Sequence, residues 1–166
     1  MNNKQTQRGF SLVEMLVYIA ILLIVSTASV TFMISLNDFV SQYRVETALY
    51  RSSTSAMEQI LVALRQADSY DAIGSVTADA DGVLSIANGA TSTVIARNTD
   101  ELELTIDGVV YGNMLADSVD VTSFYVYEYA VGEGNMVRVR LSLTATVNGV
   151  TKDITLYGGS VIRGAL

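Results

Sequence analysis

The residues with the clearest chemical consequence stand near the start of the chain, in Arg8-Gly9-Phe10-Ser11-Leu12-Val13-Glu14, which runs straight into an apolar segment. Glu14 is a carboxylate at the edge of hydrocarbon-like sequence. Such a charge costs a few kcal/mol unless it stays at an interface, is neutralised or meets a cation. Cleavage of the Gly9–Phe10 bond would create that cation, because a new α-amine on Phe10 titrates near pH ~8 and is charged at neutral pH. Phe10 and Glu14 are i, i+4 neighbours on one helix, and the amine of an adjacent copy could serve the same carboxylate.

The element that must position Glu14 follows directly. The 22 residues from Met15 to Leu36 carry no charge. At about 1.5 Å per residue a helix of that length crosses the roughly 30 Å of a bilayer core. Residues 1–9 have Lys4 and Arg8 as their only charges, so this end should stay cytoplasmic and the C-terminal bulk should face outward.

Gly9, Phe10, four more residues ending in Glu14 and then an uncharged apolar helix together resemble the class III signal of type IV pilins and type II secretion pseudopilins. The resemblance implies that a membrane aspartyl prepilin peptidase cuts after Gly9 and methylates the Phe10 amine. It further implies that Glu14 helps place the subunit in a growing filament. The partners expected from it are other pilin or pseudopilin subunits, the prepilin peptidase and an inner-membrane assembly platform. The expected location is single-pass in the cytoplasmic membrane before assembly, then an extracytoplasmic filament on the cell surface or in the periplasm. Many pilins have a proline about two turns further on; the corresponding residue here is Thr31, and the chain has no proline. A proline-free helix lacks a built-in point of kinking.

Composition narrows the chemistry of the rest. There is no cysteine and no histidine, which removes disulfides, imidazole acid–base chemistry and zinc sites built on His or Cys. No cofactor is expected. Without the two basic residues of 1–9 the chain has 8 basic and 17 acidic residues, a net charge of −9. Twelve acidic residues lie between Asp68 and Glu133 against Arg97 alone, a balance that repels a phosphate backbone, so direct nucleic-acid binding is not expected.

Three further groups have residue types and spacings that could form sites. Asp79-Ala80-Asp81-Gly82 has the spacing of half a calcium loop, but no closing glutamate follows and Asp-Gly is equally a turn. Asp100, Glu101 and Glu103 could supply a carboxylate pair of the kind glycosidases use, yet Glu101 and Glu103 fall on the polar side of an alternating strand. Tyr125, Tyr127 and Tyr129 recur at period two, as a ligand-stacking ladder or simply as good strand residues. No catalytic or metal site is assigned, and the chain is read as a non-enzyme.

The expected fold is α+β: a long N-terminal helix, membrane-spanning in its first half and amphipathic in its second, packed on a C-terminal, mainly antiparallel β-sheet domain. The expected divisions are a leader over 1–9, a transmembrane and assembly half of the helix over 10–36, an amphipathic half over 37–73 and a β-rich globular domain over 74–166. Met57, Ile60, Leu61, Leu64 and Ala67 recur at helical spacing while Glu58 and Arg65 face away. Ser52-Ser53-Thr54-Ser55 is the weakest stretch, since hydroxyls compete for backbone bonds and Ser55-Ala56-Met57-Glu58 has the form of a capping box. No proline or glycine stops the helix before Gly74. Beyond it, Leu102, Leu104 and Ile106 alternate with acidic and polar residues up to Asp107-Gly108, and Val137, Val139, Leu141, Leu143 and Ala145 alternate up to Asn148-Gly149, two hairpin signals.

The functional expectation is a structural subunit of a type IV pilus-like filament or pseudopilus, similar in its Tyr-rich and Val-Arg strands to minor pilins and minor pseudopilins. Two alternatives stand beside it. One is a secreted β-rich domain in which Met15 to Val25 is an ordinary signal core and Ser26-Thr27-Ala28 a cleavage site. The other is a membrane-tethered surface enzyme using the acidic cluster.

Overall fold

The computed structural model describes residues 11–131 and 134–163. The fold is α+β: the described residues form one helix, α1 (Leu12–Gln66), and eight strands in two antiparallel sheets. The first sheet holds β1 (Ser69–Tyr70), β2 (Val83–Asn88), β3 (Thr91–Asn98), β4 (Glu101–Ile106) and β5 (Val109–Asn113) in that order. The second holds β6 (Val119–Val131), β7 (Gly134–Val147) and β8 (Val150–Arg163). The chain divides into two compact units, Met1–Val40 and Ser41–Leu166, and α1 contributes to both.

In the second unit α1 is amphipathic. Val45, Leu49, Ala56, Met57, Ile60 and Leu64 are buried along one helical stripe that also takes in Ser52 and Ser53, and Leu61 is half-buried. Glu58 and Arg65 are exposed, as their places on the opposite face require. This stripe joins one hydrophobic core with Leu84, Ile86, Ile95 and Leu102 of the first sheet and Phe124, Val139, Leu141 and Leu143 of the second. α1 comes close to β8 at Gly158, where an added Cβ would lie 2.8 Å from the Met57 sulfur and 3.0 Å from a Leu61 methyl.

The serine run does not break the helix, because its hydroxyls find partners without unwinding it. Ser53 Oγ donates to the Tyr50 carbonyl at 3.1 Å, and Ser52 Oγ accepts from the Ala116 amide at 3.2 Å. Both residues are buried, so these bonds satisfy groups that water cannot reach. The helix does end at Gln66, well short of Gly74. The Asp68 amide donates to Ala87 O at 2.8 Å, and Ser69 and Tyr70 pair with Ala87 and Ile86. Sheet pairing captures backbone groups that another helical turn would otherwise have used, which overrides the lack of a local breaker.

The two hairpin signals are turns of the expected kind. Asp107 and Gly108 have φ of 51° and 79°, Asn148 and Gly149 have 52° and 80°, and both pairs are the left-handed conformations of a type I′ turn. A bulge at Thr122 in β6 shifts the alternation, so Val119 and Val121 are buried before it and Phe124 and Val126 after it.

The sheets are tied together where the segment before β2 runs beside β6. The Gly82 amide donates to Phe124 O and the Phe124 amide to Ala80 O, each at 2.8 Å, and Asp81 bridges to Phe124 in parallel. A Cβ on Gly82 would collide with the Phe124 carbonyl, which is backbone and cannot rotate away. Gly82→Ala is therefore expected to cost about 1–3 kcal/mol, the usual range for forcing extra volume into a packed site. Melting followed by circular dichroism should show a loss of roughly 2–4 °C per kcal/mol for a chain of this size. Gly158→Ala meets only the movable ends of Met57 and Leu61 and should lose less. Equal melting of Gly82→Ala and the unsubstituted protein would show that the two segments are not coupled as described.

Candidate assembly surface on the N-terminal helix

Ser11 starts α1. Its Oγ accepts from the Glu14 amide at 3.2 Å and its carbonyl accepts from the Met15 amide at 3.2 Å, the hydrogen bonds of an N-cap residue. Ser11-Leu12-Val13-Glu14 has the S-x-x-E form of a capping box, so the residue singled out for its charge also occupies the position where Glu or Gln suits a helix start. The same S-x-x-E spacing that marks Ser55 and Glu58 was legible here as well, yet the helix start at Ser11 was not expected from it. Glu14 is exposed in the first turn, where the helix dipole favours a carboxylate. Gly9 and Phe10 lie outside the described residues.

Along the first unit the helix presents apolar side chains all round. Leu12 is 82% exposed, Met33 75% and Ile24 68%, and none of the most apolar eighteen-residue stretch is buried. Surface of this kind, at about 25 cal/mol per Å², demands a nonaqueous neighbour. Lipid and sister helices both qualify. The helix is long and apolar enough to cross a membrane.

Four of the hydroxyls in this stretch bond back within the helix. Thr27 Oγ1 donates toward Leu23 O and Ile24 O at 3.0 and 2.9 Å, Ser29 Oγ to Val25 O at 2.8 Å, Thr31 Oγ1 to Thr27 O at 2.9 Å and Ser35 Oγ to Thr31 O at 3.0 Å. Polar groups bonded back in this way can sit in hydrocarbon without an external partner. Thr31, where many pilins have proline, is part of an unbroken helix.

The other candidate groups do not converge on a site. Asp79 Oδ1 accepts from the Asp81 amide at 3.0 Å, and the Asp81 carboxylate pairs with Arg97, so the aspartates of the half calcium loop shape a turn and an ion pair. No cluster of three or more potential metal-ligating His, Cys, Asp or Glu residues occurs among the described residues. Glu101 and Glu103 flank buried Leu102 on the outward side of β4, and Asn98 Nδ2 donates to Glu103 at 3.4 Å. A groove of about 670 Å³ lies between α1 and the first sheet, lined by Val62, Ala63, Ile86, Leu104, Ile106 and Met114 among others. Among the described residues Glu58 is its one ionisable lining group. At the rim of the core, burial raises the pKa of Tyr70 above the usual phenol value; the nearby Ser75 hydroxyl opposes this but is itself committed to the Ser85 backbone.

The capped Glu14, the apolar helix behind it and the residues before it fall within one recognised pattern: residues 4–30 match the prokaryotic N-terminal methylation motif. The chain carries a prepilin-type signal. This signal, shared by type IV pilins and pseudopilins, spans Gly9, Phe10 and Glu14 and the first turns of α1. Neither a curated protein nor a solved structure matches the chain. The prepilin-type signal and the apolar N-terminal helix fit membrane anchoring.

Proposed function

We propose that this protein is a structural subunit of a type IV pilus-like filament or pseudopilus. In this reading the chain is cut after Gly9 by a prepilin peptidase, methylated on the Phe10 amine and taken up by an inner-membrane assembly platform. Residues 10–36 pack among sister helices, and the acidic sheet domain faces outward, on the cell surface or in the periplasm. Glu14 meets the Phe10 amine of a neighbouring subunit. The observation that carries the reading is the exposed apolar surface of α1, which lies directly behind a helix start inside the methylation motif.

The same observations speak against ordinary signal-peptide cleavage. Ser26-Thr27-Ala28 lies in the middle of a continuous helix, with the Thr27 hydroxyl tied back to the preceding turn. A peptidase acts on extended backbone. Mass spectrometry of the mature chain isolated from membranes tests the choice: the N-terminal peptide is expected to begin at a methylated Phe10. A mature chain beginning at Ser29 would replace this reading with a secreted domain.

A further inference from the structure

The outward face of the second sheet sets aromatic rings beside two cations, Arg138 and Arg140, in an acidic domain. Tyr125, Tyr127 and Tyr129 of β6 stand opposite Arg140, Arg138 and Met136 of β7, with Tyr157 beyond them on β8. The Tyr125 and Tyr127 rings are parallel within 5° at 6.0 Å. The Arg140 guanidinium lies 4.0 Å from the Tyr125 ring centre, and Arg138 lies 5.7 Å from that of Tyr157. Stacking on a ring fixes a guanidinium while leaving N–H groups at its edge for a planar anion. Among the described residues the ion pairs are Arg97 with Asp81 and Lys152 with Glu46, and among these residues neither Arg138 nor Arg140 pairs with a carboxylate. Tyr157 is 61% exposed and Tyr129 is 50% exposed, more aromatic surface than a solvated sheet face needs.

The chain also holds a matching anion. Arg138 and Arg140 flank buried Val139, as Glu101 and Glu103 flank buried Leu102, so each pair projects from one side of its strand. Residues two apart on a strand are separated by about 7 Å in both cases. Beside Glu103 and Thr105, β5 supplies Asn113 and Val110 as cross-strand partners, and Val110 is 55% exposed. The cations and rings of one surface are thus matched in pitch by carboxylates beside the exposed Val110 on the other. These surfaces belong to different sheets of the same chain.

We propose that the Tyr–Arg face of one copy docks the Glu101–Glu103 face of β4 from a second copy. Because the two surfaces differ, the contact is heterologous, and repeating it builds an open chain of subunits rather than a closed pair. This rests on the filament reading only in supposing that copies meet. Rings and apolar side chains supply contact area, while the two charge pairs set register and orientation.

Two differently tagged full-length copies, co-expressed and solubilised in mild detergent, test the contact by the amount of one recovered with the other. Reversing Arg138 and Arg140 to Glu in both copies should lower recovery at least about tenfold, because like charges set face to face are strongly unfavourable. Reversing Glu101 and Glu103 to Arg in both copies should do the same, and a copy with both reversals should recover its own kind at the original level. Glu101→Gln with Glu103→Gln, which cannot repel, should lower recovery and remove its dependence on salt. Undiminished recovery with the Gln pair, or failure of the double reversal to restore it while melting is unchanged, would overturn the proposal. So would recovery governed by an added acidic protein or glycan rather than by the second copy. The N-terminal mass read on the same samples separates the two questions: charge-dependent recovery of uncut chains keeps the docking face and rejects the filament reading.

Discussion

Glu14→Gln should leave the chain helical, inserted and cleaved, yet remove it from filaments. The helix survives because the Ser11 cap bonds the backbone amide of residue 14, which the substitution keeps. Glutamine serves at this capping-box position as glutamate does and has similar helix propensity. What changes is the negative charge. In the proposed assembly a Phe10 ammonium would then be enclosed among apolar helices without its partner, a loss of about 3–5 kcal/mol when the pair is buried. That corresponds to roughly a hundredfold to a few-thousandfold loss in incorporation. Shearing filaments from cells and comparing incorporated with membrane-retained subunit measures it. If Glu14 acts only as a helix-start residue, the glutamine variant incorporates normally while Ser11→Ala weakens the helix start by about 0.5–2 kcal/mol. That pattern of results would remove the carboxylate from the assembly mechanism.

The two kinds of helix surface show what the sequence makes legible and what it conceals. Met57, Ile60, Leu61 and Leu64 could be placed on a core face because helical spacing is a local property, and Asp107-Gly108 and Asn148-Gly149 could be placed in hairpins because positive φ selects their residue types. The end of α1 at Gln66 was not legible, since it is decided by pairing of Ser69 and Tyr70 with β2, residues that are distant along the chain. The bulge at Thr122 was hidden for the same reason: Thr122 suits a regular strand, and only its neighbour β7 defines the extra residue. The tyrosines of β6 were visible as a period-two row. Their arginine partners became apparent only when the register set Tyr125 beside Arg140 and Tyr127 beside Arg138. At the N-terminal site the motif residues could be read directly, but the cap role of Ser11 depends on where the helix begins.

Replacement of Gly9 by a bulky residue should abolish processing altogether. A peptidase must hold the scissile segment as extended backbone at close approach, and glycine places no side chain between that backbone and the enzyme. In Gly9→Leu a branched side chain enters that space, while Lys4, Arg8 and the whole of Met15 to Leu36 remain, so insertion and orientation should not change. The variant should therefore accumulate in the membrane at precursor mass, lacking both the new amine and its methyl group. It should also be absent from sheared filaments. The amine proposed to meet Glu14 does not exist in an uncut chain, and the nine leader residues with their two positive charges would have to follow the helix into an apolar bundle at a prohibitive cost. Gly9→Ala, one methyl larger, should retain partial cleavage and give filaments in proportion to the cut fraction. Intact mass of membrane and filament fractions from the three strains resolves these outcomes. A normal mature mass for Gly9→Leu would place the cleavage elsewhere, and filaments built from uncut Gly9→Leu chains would separate assembly from the Phe10 amine.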